Sequence, residues 1–255
     1  MLALEAFGYY SLAALVAGGL TFMTAPVSNA FYPRFTELVT RRDDRTLKEA
    51  YHLGAQLVTV LTGSAAVMLM FFSERILLLW TGDPELTGRV APIMGVLALG
   101  SFLNCLMWVP YIMQLAHGWT SLTITVNTIA VALLVPTILW AVPIYGAIGV
   151  AWAWVALNVG YLVINIFFMH RRLLPSEKWR WYGQDIMIPL TATIAVAWLC
   201  RWMMPADLGR LIELGVLIVV SSGMLIVAAL AAPLVRMQLA QHSSGRISTI
   251  LGRRS

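Results

Sequence analysis

Asn104, Tyr111 and Gln114 follow one another at intervals of seven and three residues, which places them on one face of a helix. Asn158 and Tyr161, three apart, repeat the relation further along the chain. Asn29 comes three residues after Pro26, where a missing backbone N–H opens the helix. Amides and phenols both donate and accept hydrogen bonds, so a wall built from them suits a ligand rich in hydroxyls, such as a glycan. Gln56, Asn127 and Asn165 add further amides within apolar surroundings. The competing role for any one of them is to hold helices together, at about 0.6 kcal/mol per bond in a bilayer. None of these groups breaks bonds. The chemistry on offer is recognition.

The elements that must carry these side chains are legible from charge. From Gly118 to Met169 there is no Asp, Glu, Lys, Arg or His, with a hinge at Pro143-Ile144-Tyr145-Gly146 near the middle. A helix needs about 20 apolar residues to cross the hydrocarbon core, so this run holds two crossings. Over the whole chain 60% of residues are hydrophobic and 11% are charged, a balance unlike that of soluble globular domains. Uncharged or nearly uncharged runs fall at 7–32, 53–72, 90–116, 119–141, 146–169, 186–204 and 214–235. They show no alternation of apolar and polar residues, which excludes a barrel and leaves helices. The fold expected is all-α: a polytopic bundle of seven transmembrane helices over 1–235, followed by a basic tail at 236–255. The sixth span is the shortest, bounded by Asp185 and Arg201.

Helix boundaries carry their own signals. Thr46-Leu47-Lys48-Glu49 has the spacing of a capping box for the second helix. Asp83-Pro84-Glu85 supplies a cap, a proline at the first helical position and an acid at the positive helix end. Pro205 closes the sixth helix. Pro26, Pro92, Pro110, Pro136 and Pro189 fall inside spans, where each removes a backbone bond and bends its helix. Bent and broken helices line the cavities of transporters.

Thirteen of the 17 basic residues sit in 33–52, 170–185 and the tail; the opposite side receives Arg75, Arg89, Arg201 and Arg210. Positive residues accumulate on the cytoplasmic side, so the amino terminus is expected outside and the carboxyl terminus in the cytoplasm. No basic residue precedes Arg34, which argues against a cleaved signal peptide. The net charge of +5 is read as topology rather than nucleic-acid binding, because the charges occupy loops between spans. Trp80, Trp119, Trp140, Trp179, Trp181, Trp198 and Trp202 sit near span ends as interfacial anchors. Cys105 and Cys200 read as small buried hydrophobes.

The sequence has no Walker loop, GxGxxG, HExxH, GxSxG or CxxC pair, and the last span lacks the lysine a retinal protein needs. His52, His117, His170 and His242 lack metal-ligand spacing, and His170 groups with Arg171 and Arg172 in a basic loop. Neither an enzyme nor a cofactor or metal is expected. A membrane polymerase or ligase would need reactive groups on an outer loop, where Glu74, Arg75, Asp83, Glu85 and Arg89 are all that is available.

Certain words stand in a recognisable order: Gly8-Tyr9-Tyr10-Ser11-Leu12-Ala13, Phe31-Tyr32-Pro33-Arg34-Phe35 and Leu77-Leu78-Leu79-Trp80-Thr81-Gly82-Asp83. They are followed by Pro110-Tyr111-Ile112-Met113-Gln114-Leu115-Ala116-His117-Gly118, Tyr145-Gly146-Ala147-Ile148-Gly149 and Trp154-Val155-Ala156-Leu157-Asn158. Over about residues 5–175 the chain resembles the carboxyl-terminal half of a Wzx-type polysaccharide flippase, of the multidrug/oligosaccharidyl-lipid/polysaccharide exporter superfamily. The resemblance implies a second lobe, helices eight to fourteen of a fourteen-helix transporter in the bacterial cytoplasmic membrane. It implies an undecaprenyl-diphosphate-linked oligosaccharide as substrate, held by Asn29, Arg34, Asn104, Tyr111, Gln114, Asn158 and Tyr161, with Arg34 and the 41–48 cluster attracting the diphosphate. Topology alone also explains those basic residues. The first lobe is absent from this sequence, which fits a truncated gene product, a wrongly placed start or a subunit paired with a separate first half; the partners this implies are such an amino-terminal half or a polysaccharide polymerase. The main alternatives are a drug or cation exporter of the same superfamily and a non-transporting partner in polysaccharide assembly. An exporter driven by cations needs intramembrane carboxylates; the central uncharged runs contain none, which favours the glycolipid.

Overall fold

Asp83 opens a long helix by accepting the N–H groups of Glu85 and Leu86 at 2.9 and 3.1 Å, with Pro84 in the first turn. The preceding helix starts three residues earlier than the capping box implies. Its cap is Asp43, whose carboxylate takes the Thr46 N–H at 3.1 Å. Thr46 thus supplies a donor to the cap instead of being it. The hydrogen bonds from Thr46 hold the Asp43 carboxyl below the usual carboxylate range.

The computed structural model describes residues 4–205 and 208–241. All regular structure among them is helical. Six helices are long and apolar enough to cross a membrane: α1 (Leu4–Arg41), α2 (Asp44–Thr81), α3 (Pro84–Ala116), α4 (Ser121–Leu173), α5 (Lys178–Met203) and α6 (Arg210–Ala231). A short helix, α7, covers 233–241 after a bend at Ala232.

The fourth of these is two spans in one. At 1.5 Å per residue its 53 residues would reach about 80 Å, far beyond a hydrocarbon core of about 30 Å. It breaks at Gly146, whose φ of 61° and ψ of −144° belong to a region that a side chain would strain. The two arms then line a common crevice, with Val126, Ala130 and Thr137 on one side and Ala153, Gly160 and Ile164 on the other. Six helices therefore give seven membrane-length rods, as the charge pattern requires.

α3 occupies the centre, packed against the first part of α1, the second part of α2 and the arms of α4. Its Gly100 meets Trp154 so closely that an added Cβ would lie 2.4 Å from the indole. The pair α5–α6 packs on α2, where Val67, Met68 and Phe72 meet Ala197, Leu217, Val220 and Met224. α4 is the least covered helix, with Leu133, Leu139, Ile124 and Val163 all exposed. Such a surface has lipid or another apolar partner as its solvent.

The prolines act as expected at two places. α1 is interrupted at Met23-Thr24, just before Pro26, and α3 at Met107, three residues before Pro110. The ends of the bundle are also distinct. Lys48, Glu177, Arg172 and Trp119 assemble at one end, where the Arg172 guanidinium lies 4.2 Å over the Trp119 ring. At the other end, Arg75 pairs with Glu213 at 3.1 Å and donates to the Pro205 carbonyl, and Arg210 donates to Leu79. Arg201 donates to the Phe71 carbonyl, next to the kink at Phe72. Four of the sparse basic residues were expected on this side, and three of them tie helix ends together.

Of the expected anchors, Trp80, Trp140, Trp179, Trp198 and Trp202 are exposed, but Trp181 is buried. It packs between His170 and Tyr182. Arg236 lies in α7; His242, Arg246, Arg253 and Arg254 lie outside the described residues.

Candidate functional site

The kink at Met107 turns a polar face of α3 toward the two arms of α4. Asn104, Met107, Trp108 and Tyr111 of α3 enclose a cleft with Thr123 and Asn127 of the first arm and Tyr161 and Asn165 of the second. Its volume is about 250 Å³. It runs from mid-bundle toward the basic end and stays open along the first arm, where Asn127 is exposed.

Asn104 and Tyr111 line one wall together, and Tyr161 stands on the facing helix. Behind them the amides bond to one another. Asn104 Nδ2 donates to Asn158 Oδ1 at 2.9 Å, and Asn158 Nδ2 donates to the Trp154 carbonyl at 2.8 Å. Gln114 donates to Asn165 Oδ1 at 3.1 Å and accepts from the Thr123 hydroxyl at 2.9 Å. Asn158 and Gln114 are fully buried, so they brace the cleft from behind. Gln114, expected on the wall, stands behind it because its amide reaches across to the second arm.

Asn29 and Arg34 do not join this cleft. Asn29 is exposed on the second part of α1. Arg34 is exposed and pairs with Glu37 at 2.9 Å. In the other direction, Asn127 and Asn165, further amides in the sequence, join the cleft, and Trp108 and Thr123 line it without having been singled out for it. The i, i+4 spacing of Thr123 with Asn127, and of Tyr161 with Asn165, carried the signal.

Within the cleft, the tips of Tyr111, Asn127 and Tyr161 carry no side-chain hydrogen bond to another described residue. They are what a ligand would meet. Tyr161 also borders the crevice between the α4 arms, about 260 Å³ and lined almost wholly by Val, Ile, Leu, Ala and Gly. A polar cleft thus continues into an apolar one.

A second polar assembly lies at the basic end. Asp185 was expected to mark the edge of the sixth span; instead it lies inside α5 and is fully buried. His52 Nδ1 lies 2.5 Å from Asp185 Oδ2, and Gln56 donates to Asp185 Oδ1 at 2.9 Å. His52 Nε2 faces Glu177 Oε2 at 3.1 Å, and Lys48 pairs with Glu177 at 3.2 Å. Burial raises the proton affinity of Glu177, but the bonds from Lys48 and His52 outweigh it and hold the carboxyl below its usual range. His170, expected in a basic loop, is buried and bonds Tyr51. The central runs are free of acids, yet the bundle is not. Among the described residues no group of three His, Cys, Asp or Glu has the geometry of a metal site.

Helix number, length and apolar surface define the class: a multi-pass α-helical membrane protein. Compared with known proteins, the chain matches no family model, no curated protein and no solved structure.

Proposed function

We propose that this chain forms one lobe of a flippase that moves an undecaprenyl-diphosphate-linked oligosaccharide across the bacterial cytoplasmic membrane. The observation that carries the reading is the junction at Tyr161 of a cleft with unpartnered amide and phenol tips and an apolar crevice. An amphiphile with a hydroxyl-rich head and a hydrocarbon tail matches both parts at once. The sequence resemblance independently names that ligand class. No bond is made or broken in this work: the cleft replaces water around the sugars, and the tail stays in apolar surroundings.

The cleft has walls on α3 and α4 and is open beyond Asn127. A second lobe would close it, and movement of one lobe against the other would alternate its opening. In this scheme the basic end is cytoplasmic and the amino-terminal end periplasmic. Thr40 and Ser176 are exposed at the basic end. Cysteines placed there should resist a membrane-impermeant thiol reagent in intact cells; ready labelling of both would reverse the orientation.

The functional test is complementation of a flippase-deficient cell by this chain together with a matching first lobe. Tyr111→Phe and Asn127→Leu should each lower surface polysaccharide while the protein stays at normal abundance, since those tips bond no other described residue. Each lost bond to substrate is worth about 1 kcal/mol, several-fold in affinity. Normal export by both variants would remove the cleft from the mechanism.

A second reading is an exporter driven by a coupled cation. It gains support from Asp185, a buried carboxylate on a membrane-length helix. Export of a lipophilic cation by the same pair of lobes, with no effect on polysaccharide, would favour it.

A further inference from the structure

We propose that His52, Asp185 and Glu177 form a binding site for one exchangeable proton, and that Gln56 relays its occupancy to the carboxyl-terminal helix α7. This inference does not depend on what the cleft carries.

The argument starts from the two nitrogens of His52. Nδ1 faces Asp185 and Nε2 faces Glu177, both within hydrogen-bond distance. An ionised carboxylate only accepts, and a neutral imidazole donates from one nitrogen alone. Filling both contacts therefore requires one proton more than a neutral imidazole between two carboxylates holds. Whether that proton is drawn on His52 or on an acid, the three groups titrate as a unit. His170 shows the contrasting pattern: Nδ1 faces the Ile166 carbonyl and Nε2 faces the Tyr51 hydroxyl, which one neutral tautomer satisfies.

The unit has a route to water. Asp185 and His52 are fully buried, whereas the Glu177 side chain is 16% exposed and reaches Lys48 and Arg180 at the surface. On release the proton passes from Nε2 of His52 to an oxygen of Glu177 and then to water. The three groups change from one net negative charge to two, faced by Lys48 and Arg180. Every neighbouring element contributes to this field. α2 brings Lys48, Tyr51 and Gln56, and the second arm of α4 brings His170, which bonds Tyr51. α5 brings Lys178, Arg180 and Tyr182. α7 presents backbone N–H groups.

Those N–H groups supply the readout. Gln56 donates to Asp185 and accepts from the Leu234 N–H at 2.8 Å and from Val235 at 3.4 Å. One amide thus bridges the acid and the first turn of α7. Both strands of the bridge border widened, π-type turns, at Thr59–Gly63 of α2 and Trp181–Met187 of α5, the second containing Asp185. Such turns are lower in stability than α-helix and occur often at working sites. When the proton leaves, the Nε2 lone pair opposes the Glu177 carboxylate, while Nδ1 still donates to Asp185 from a ring that is now neutral. Asp185 then draws harder on its other donor, Gln56, and this alters the seating of α7.

The test uses the full chain in lipid nanodiscs, with histidine side chains labelled for NMR and a spin label at Leu239, an exposed position on α7. In the wild type, one imidazole should carry protons on both nitrogens on the acid side of its transition. As pH is varied it should lose one in a single step matched by movement of the label. Asp185→Asn and Glu177→Gln, whose amides can each donate to the facing imidazole nitrogen, should each abolish the doubly protonated state and the matched step. Gln56→Leu should keep the step in the imidazole and uncouple the label. Four imidazoles that each titrate independently in the wild type would overturn the site, whatever the variants do. A matched step that survives Gln56→Leu would overturn the relay.

Discussion

The cleft, on α3 and α4, and the basic-end cluster, on α2 and α5, are both built from polar side chains within the bundle, and they differ in what is left over. In the cluster, both His52 nitrogens, both Asp185 oxygens and both ends of the Gln56 amide have partners within the chain. In the cleft, the braces behind the wall are partnered and the tips of Tyr111, Asn127 and Tyr161 are not. A saturated network fixes how helices sit; an unsaturated one has bonding capacity for something else. Substitutions should therefore cost stability in the first region and ligand affinity in the second.

The sharpest way to break this comparison is Asp185→Ala. Removing one partner of a buried charged pair costs about 3–5 kcal/mol, so the variant should lose most of its resistance to denaturation in mild detergent. Stability equal to the wild type would show that the cluster is not the joint described. Gly100→Leu comes next. Overfilling a packed interface costs about 1–3 kcal/mol, and here the new side chain would run into Trp154, separating α3 from the second arm of α4. It should lower both thermal stability and cleft binding. Asn104→Leu strands the Asn158 acceptor and should cost about 1–3 kcal/mol. Tyr161→Phe should leave stability within about 0.5 kcal/mol of the wild type, since its hydroxyl bonds no other described residue.

A smaller effect follows from acid. The Glu177 carboxyl titrates below its usual range when folded, so its pairing with Lys48 stabilises the chain above the ordinary glutamate value of about 4.3. That contribution is lost as pH falls through the lower folded value. Hydrogen-exchange protection around 174–180, relative to the intrinsic rate at each pH, should be unchanged at pH 6 and lower only on the acid side of that value. Loss of protection between pH 7 and 6 would contradict the pairing.

How much of this was legible in the chain varies with the range of the interaction. Span ends were readable because charge is excluded from hydrocarbon, and the turn between the α4 arms because Pro143 and Gly146 interrupt an otherwise featureless run. The pairing of Asn104 with Tyr111 followed from helical spacing alone. The bond from Asn104 to Asn158 did not, since nothing local to either residue marks a partner on another helix. Asp185 was assigned to a boundary for the same reason: its partner His52 is 133 residues away. A charge next to an apolar run reads as an end unless its counter-charge is visible. Asn29 was grouped with the wall through Pro26, but the break falls before that proline and turns Asn29 outward. Trp181 and His170 were read as surface groups because aromatic and basic residues cluster at interfaces, and here they pack on each other.

The most direct test of the cleft's role is binding to the full chain in nanodiscs. An undecaprenyl-diphosphate-linked oligosaccharide should be compared with the same lipid diphosphate lacking sugars, for the wild type and for Tyr161→Phe combined with Asn127→Leu. The account predicts tighter binding of the glycosylated lipid to the wild type. The double variant should lose that preference by about tenfold or more while binding the bare lipid as before. Equal affinity for both lipids in the wild type, or an undiminished sugar preference in the double variant, would contradict it.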